Sequence, residues 1–185
     1  MRPLLFALLL ASAPLLAQAS QPLEQAAFAP RHEQAGLVLE RRNQTLLNYL
    51  WVDVYAAAFY TAPGVSPRQA IERPAAQRLE LYYFRAIDRE DVIKAAWTTL
   101  ERQYSPAQLA PLRAEVDRLH QQFQDIAVGD RYALDFTPAD GLRLERNGQT
   151  LFSSTDPVLA KAYLGIWLAP DGLSDALRQA LLADS

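Results

Sequence analysis

From Leu46 to Tyr60 the sequence LLNYLWVDVYAAAFY is apolar on both alternating faces, with Asp53 its single charge. At about 3.3 Å per residue such a run would cross a small domain, so the pattern predicts one long strand at the centre of a large sheet. The even positions, Leu46, Leu50, Val52, Val54, Ala56 and Ala58, are aliphatic, whereas Leu47, Tyr49, Trp51, Asp53, Tyr55 and Phe59 mix rings, hydroxyls and one carboxylate. The first face reads as plain core and the second as a candidate pocket wall.

Around this run the periodicity predicts an alternation of other elements. Residues 20–34 have no clear period and read as an exposed lead-in. AGLVLER from Ala35 reads as a first strand, and the polar group Arg41 to Thr45 reads as the turn into the long one. Ala62-Pro63-Gly64 is a turn, Ser66-Pro67 opens a short helix to about Glu72, and Gln77 to Arg85 alternates as a strand. Asp88 caps a helix in which Val92, Ile93, Ala96, Trp97, Leu100 and Tyr104 recur at helical spacing. Ser105-Pro106 opens a second helix, with Leu109, Leu112, Val116, Leu119 and Phe123 on one stripe.

Strand patterns return at Arg131 to Thr137, Leu142 to Arg146 and Gln149 to Phe152, with Asn147-Gly148 as a hairpin turn. Asp156-Pro157 caps a helix facing inward with Val158, Leu159, Ala162, Tyr163, Ile166 and Trp167, and Ser174 starts a last helix ending near Leu182. This order predicts an α+β fold, a mostly antiparallel sheet with helices gathered on one face. The regular strand–helix alternation of a nucleotide-binding fold is absent.

The first residues read as a processing signal. Arg2 supplies a positive start, Leu4 to Leu16 an apolar core broken by Pro14, and Ala17-Gln18-Ala19 a small-x-small cleavage pattern. The apolar run is shorter than the roughly 20 residues of a membrane-spanning helix. Cleavage near Ala19 is expected, with a periplasmic location and no stable membrane insertion afterwards. The chain has no cysteine, so neither disulfides nor thiolate chemistry are available in that compartment.

Removing the signal leaves a single domain over residues 35–185 behind the lead-in, with a core of ordinary size. With Arg2 gone, 17 basic residues face 21 acidic ones, a net charge near −4. Nucleic acid and anionic membranes do not suit that surface.

The inventory excludes most catalytic constellations. Two histidines, His32 and His120, cannot assemble a histidine-based metal centre, and His120 beside the Leu119/Phe123 stripe reads as a packing residue. No Gly-rich phosphate loop occurs. Asp88, Glu90 and Asp91 fit a helix start better than an acid–base pair. What remains is aromatic surface: Tyr49, Trp51 and Tyr55, then Trp97 and Tyr104, then Tyr163 and Trp167. These rings are core unless helices and sheet fail to close, in which case they line an apolar cleft with a few hydroxyls.

The segments VDVYAAAFYTAP, LELYYFRAIDREDVIKAAW, VGDRYALDFTPADGLRLERNGQTL and AKAYLGIWLAPDGLSDALRQALL, in this order, resemble the chalcone isomerase-like family, in its exported bacterial branch. The resemblance runs from about Leu37 to Leu182. It implies an open-faced β-sandwich, a large antiparallel sheet under a helical layer, with the ligand cleft between the two. Members of the family either cyclise chalcones or bind fatty acids, and both lean on an arginine after the first hairpin turn that holds an enolate or a carboxylate.

Here Leu47 takes the arginine position, Tyr55 the position of the plant enzymes' threonine, and Tyr104 corresponds to their helical tyrosine. The expectation is therefore a non-catalytic binder of a small apolar molecule such as a fatty acid or phenolic, without cofactor or metal. Tyr55, Tyr104, Trp51, Trp97 and Arg42 are the candidate ligand-binding residues. One alternative is a chalcone-type isomerase using Tyr55 and Tyr104 with Arg41 or Arg42 as anion clamp, and another is an envelope interaction module with a closed core. Ligand identity and oligomeric state are not set by the sequence.

Overall fold

The computed structural model describes residues 20–34 and 36–184; the processing signal read from residues 1–19 lies outside them. Seven strands form one sheet in sequence order, every neighbouring pair antiparallel. They are β1 (Arg31–Gln34), β2 (Leu37–Tyr49), β3 (Val52–Thr61), β4 (Gln77–Tyr83), β5 (Arg131–Thr137), β6 (Gly141–Arg146) and β7 (Gln149–Ser154). The α+β architecture expected from the sequence is the one observed.

The long strand is not one strand. The chain reverses at Leu50 and Trp51, both left-handed with φ of 47° and 68°, so that Tyr49 pairs with Val52 and Leu47 with Tyr55. The polar group expected to turn, Arg41 to Thr45, instead lies inside β2. Its side chains explain why: they bond to chain segments packed around the strand. Arg42 donates to Thr61 Oγ1 at 2.9 Å and to the Ala62 carbonyl at 3.0 Å, and Asn43 Nδ2 donates to the Leu181 and Ala183 carbonyls at 2.9 and 2.8 Å. Arg42 itself is the extra residue of a bulge, since Arg41 pairs with Tyr60 and Asn43 with Phe59.

Seven α-helices accompany the sheet among the described residues: α1 (Ser20–Ala26), α2 (Pro67–Glu72), α3 (Arg89–Gln103), α4 (Pro106–Leu109), α5 (Arg113–His120), α6 (Pro157–Leu168) and α7 (Asp175–Leu181). The expected second long helix is interrupted by a 3₁₀ turn over Ala110–Leu112, because Pro111 has no N–H to continue the α-helical bonding. The expected lead-in is also structured. It supplies α1 and β1, with Ala26 and Phe28 buried and His32 paired opposite Leu39.

Alternation along β3 to β6 divides the sheet into two buried faces. Phe59, Leu79, Leu81, Leu134, Leu142 and Leu144 point to the layer formed by α2 through α7. Ala56, Ala58 and Tyr60 point the other way, under α1 and Phe28. That second face also buries an ion cluster: Arg78 Nη1 lies 2.8 Å from Asp135 and 2.8 Å from Glu145, and Arg131 bonds Glu80 at 2.8 Å. At the β5–β6 turn, Gly141 has φ of 78°, and a Cβ there would stand 2.2 Å from the Ser154 carbonyl oxygen, so only glycine fits.

Candidate functional site

The cleft expected between sheet and helices is closed at the place the sequence points to. Tyr55 is 5 % exposed on the helix-facing side of β3, and its hydroxyl accepts a 3.0 Å hydrogen bond from Trp167 Nε1 on α6. Its ring meets Tyr83 at 5.4 Å between centroids, Tyr83 meets Tyr132 edge-on, and Tyr132 stacks on Phe123 at 5.2 Å. A cavity of about 20 Å³ remains, bordered by Tyr83, Tyr132, Tyr163 and Trp167. That is room for about one water and for no acyl chain or phenolic ring.

Leu47 is paired with Tyr55 across β2 and β3, so an aliphatic side chain stands where the resemblance implies an arginine. Burial holds the hydroxyls of Tyr55, Tyr83 and Tyr163 well above the usual phenol range, so they stay protonated. This aromatic layer is packing, with one internal hydrogen bond.

The other sequence-derived candidates are dispersed. Trp51 is 101 % exposed at the tip of the β2–β3 hairpin. Arg42 sits by Thr61 at the far end of β3 from Tyr55 and is held there by its bonds and by Glu40 at 3.3 Å. Arg41 donates to the Phe28 carbonyl, on the opposite side of the sheet. Trp97 is half-buried on α3, edge-on to His120 at 5.7 Å and covered by the Arg113 guanidinium at 4.5 Å. Tyr104 caps the end of α3, with its hydroxyl near Gly165 of α6, and partial burial raises its pKa. The structure brings Tyr55 to Trp167 and does not assemble the five candidates into one wall.

A different space is open. A groove of about 440 Å³ lies between α2, the first residue of β4 and α6, within the range of about 300–1,000 Å³ typical of ligand sites. Prolines set its walls. Ser66 and Gln69 form a reciprocal cap on α2 with Pro67 at the first turn, and the helix stops at an extended Arg73 before Pro74. Asp156 caps α6 through the Val158 N–H with Pro157 at its first turn, and that helix stops at an extended Ala169 before Pro170.

Ala70, Phe136, Ala160, Leu164 and Leu168 make a buried apolar floor, in which the two alanines contribute only methyl groups and leave space. Lys161, Arg73 and Glu72 are exposed at the rim.

Gln77 is the one polar side chain buried in this lining. Its amide nitrogen donates to the Ala70 and Ala75 carbonyls at 2.9 and 3.4 Å, which fixes its orientation. Its Oε1 is buried without a partner. The groove thus presents an apolar trough with Lys161, Arg73 and Glu72 at its mouth, a lining suited to an apolar ligand and without a nucleophile–base pair. Among the described residues no group of acidic or histidine side chains is placed to hold a metal ion, and no helix is long and apolar enough to cross a membrane.

Sequence reasoning missed this groove, although a signal for it exists. Pro157, Ala160, Lys161, Leu164 and Leu168 recur at helical spacing beside the inward stripe already assigned to α6. A helix apolar on two stripes must cover both, and α2 covers the second only in part.

Comparison with known proteins places these observations in a context. A family model described as chalcone isomerase-like matches residues 34–183. No curated protein matches the sequence. Among solved structures, a fatty-acid binding protein of Arabidopsis thaliana superposes with a TM-score of 0.63 at 13 % identity, covering 84 % of this chain and 90 % of that one. At that identity the likeness speaks for the shared fold.

Proposed function

The chain belongs to the chalcone isomerase-like family, and from that premise we propose that it is a non-catalytic carrier of one linear amphipathic carboxylate, a fatty acid, held in the groove between α2 and α6. The observation that carries this reading is the contrast between two spaces on α6. On the sheet-facing side the Tyr55–Trp167 bond closes the expected ligand position and the neighbouring rings Tyr83, Tyr132, Tyr163 and Trp167 border only about 20 Å³, whereas the side facing α2 stays open at about 440 Å³. An acyl chain on the Ala70, Ala160, Leu164 and Leu168 floor would gain about 25 cal/mol for each Å² it removes from water. Lys161 and Arg73 at the mouth would face its carboxylate. The similar plant protein is a fatty-acid binder by name, which supports the ligand class.

Chalcone cyclisation lacks support in the same geometry. Leu47 stands opposite Tyr55, Arg41 and Arg42 are engaged elsewhere, and a lost oxyanion donor typically costs about 3 kcal/mol of transition-state stabilisation. The leader pattern at Ala17 to Ala19 supports work outside the cytoplasm, in the periplasm, after cleavage.

The test is calorimetric titration of delipidated protein, residues 20–185, with saturated C12 to C16 fatty acids, beside a chalcone cyclisation assay. Saturable one-to-one binding in the micromolar range with only spontaneous cyclisation is expected. No binding of any acyl carboxylate, or cyclisation above the spontaneous rate, would overturn the reading.

A further inference from the structure

Two of the sheet's two-residue hairpins turn through a pair of left-handed residues, but they do so with opposite chemistry. Between β6 and β7 the turn residues are Asn147 and Gly148, with φ of 50° and 80°. This is the pair that tolerates such angles best. Between β2 and β3 the same conformation is forced on Leu50 and Trp51, residues with a branched or bulky side chain that disfavour it. Turn stability alone does not account for leucine and tryptophan there, and a left-handed outlier of this kind points to a role for the side chains it displays.

The displayed surface is consistent in kind. Tyr49, Leu50 and Trp51 are 68 %, 74 % and 101 % exposed, and Val52 beside them is also exposed. None of the four is charged. The arm that bears them extends past the sheet, because beyond the Tyr55–Tyr83 pair the chain after β4 makes one more bond to β3, from the Phe84 N–H to the Val54 carbonyl at 3.0 Å, and β1 pairs only with Leu37 to Glu40 of β2. The residues beyond Val54 therefore project as two strands alone, about 7 Å beyond their neighbours at about 3.3 Å per residue.

We propose that this tip is an interfacial anchor that enters the headgroup boundary of a zwitterionic phospholipid surface. Three properties select that occupant. The projection matches the roughly 5–10 Å depth at which interfacial apolar side chains reside. Tyrosine and tryptophan, each with an apolar body and one polar atom, are the side chains that favour this boundary. The tip is narrow and convex, with four side chains, whereas a stable protein interface takes about 800 Å² and some 20–30 residues from each partner. The absence of lysine or arginine among the four removes any preference for anionic lipid. The docking is peripheral and reversible, and it is independent of fatty-acid binding in the α2–α6 groove.

The experiment uses residues 20–185 with phosphatidylcholine vesicles, read by flotation and by quenching of tryptophan emission with brominated lipid. Trp167 is buried and Trp97 half-buried, so the part of the quenching that is lost in a Trp51→Phe variant reports Trp51. The wild type is expected to float with vesicles at millimolar lipid, weaker than the ~10⁴ M⁻¹ of a single myristoyl chain, and to show a quenched, blue-shifted emission.

The double variant Leu50→Asn/Trp51→Gly installs the favoured turn pair. It is expected to lose vesicle binding at least tenfold while its melting temperature stays equal or rises, which separates loss of the anchor from loss of the fold. A wild type that remains in the soluble fraction overturns the proposal. So does a double variant that floats within twofold of wild type, or concentration-dependent self-association through Trp51 in place of vesicle binding.

Discussion

Trp167 Nε1 donates a 3.0 Å hydrogen bond to the Tyr55 hydroxyl, tying α6 to the helix-facing side of β3 across the interior. Leu47 completes that contact from β2 as the cross-strand partner of Tyr55. Together they convert the expected ligand position into core and leave the opposite flank of α6 as the open one.

Tyr55→Phe leaves the Trp167 N–H buried without an acceptor. It is expected to lower unfolding free energy by about 1–3 kcal/mol in urea titration while fatty-acid affinity stays within twofold. A Tyr55→Phe protein of unchanged stability that no longer binds ligand would reverse both assignments.

Ala160→Trp fills the floor of the α2–α6 groove with an indole. Loss of fatty-acid binding by more than tenfold is expected in calorimetry, with the cooperative unfolding transition retained. Lys161→Glu at the exposed rim changes only a solvated partner, so the expected loss is up to about 1 kcal/mol, roughly fivefold, and it should shrink in high salt.

His120 is buried against Trp97, Phe123 and Tyr163 with neither ring nitrogen hydrogen-bonded, and desolvation lowers its pKa to about 4, with nearby Asp117 opposing and Arg89 assisting. Between the ordinary histidine value of about 6.5 and about 4 the unfolded chain therefore binds the proton that the folded one refuses. Stability is full above pH 6.5 and falls by up to about 3 kcal/mol as pH drops to 4. His120→Phe should remove that slope. Urea midpoints at pH 7.5 and 4.5 for the two proteins check it, and equal differences would contradict the assignment.

Asp135 is fully buried and both its carboxylate oxygens accept from Arg78 Nη1, at 2.9 and 2.8 Å. Asp135→Ala strands part of that buried cation's pairing, and a loss of about 3 kcal/mol is expected by urea unfolding. A loss under 1 kcal/mol would show that Glu145 and Glu80 suffice for Arg78.

The sheet meander, the helix starts at Pro67, Pro106 and Pro157, and the Asn147-Gly148 turn were legible because capping and turn residues mark them with strong local preferences. The β2–β3 turn was not, since Leu50 and Trp51 carry none of the chemistry by which such turns are recognised. With the turn missed, Arg41 to Thr45 took its place, and Trp51 and Tyr55 fell on one supposed strand. The aromatic content of the interior was readable from Tyr55, Trp97, Tyr163 and Trp167. Whether those rings leave a gap depends on packing density, which side-chain inventory does not specify. The groove escaped notice for the complementary reason, because it is made by what Ala70 and Ala160 lack.

α6 presents its open flank to α2, where the fatty acid is proposed to lie, and its closed flank to Tyr55. The direct measurement is a crystal structure of residues 20–185 soaked with a fatty acid brominated at its terminal carbon. An anomalous bromine peak over the floor formed by Ala70, Ala160 and Leu164, with the carboxylate toward Lys161, is the expected result. A peak between Tyr55 and Trp167, with their hydrogen bond broken, would contradict it.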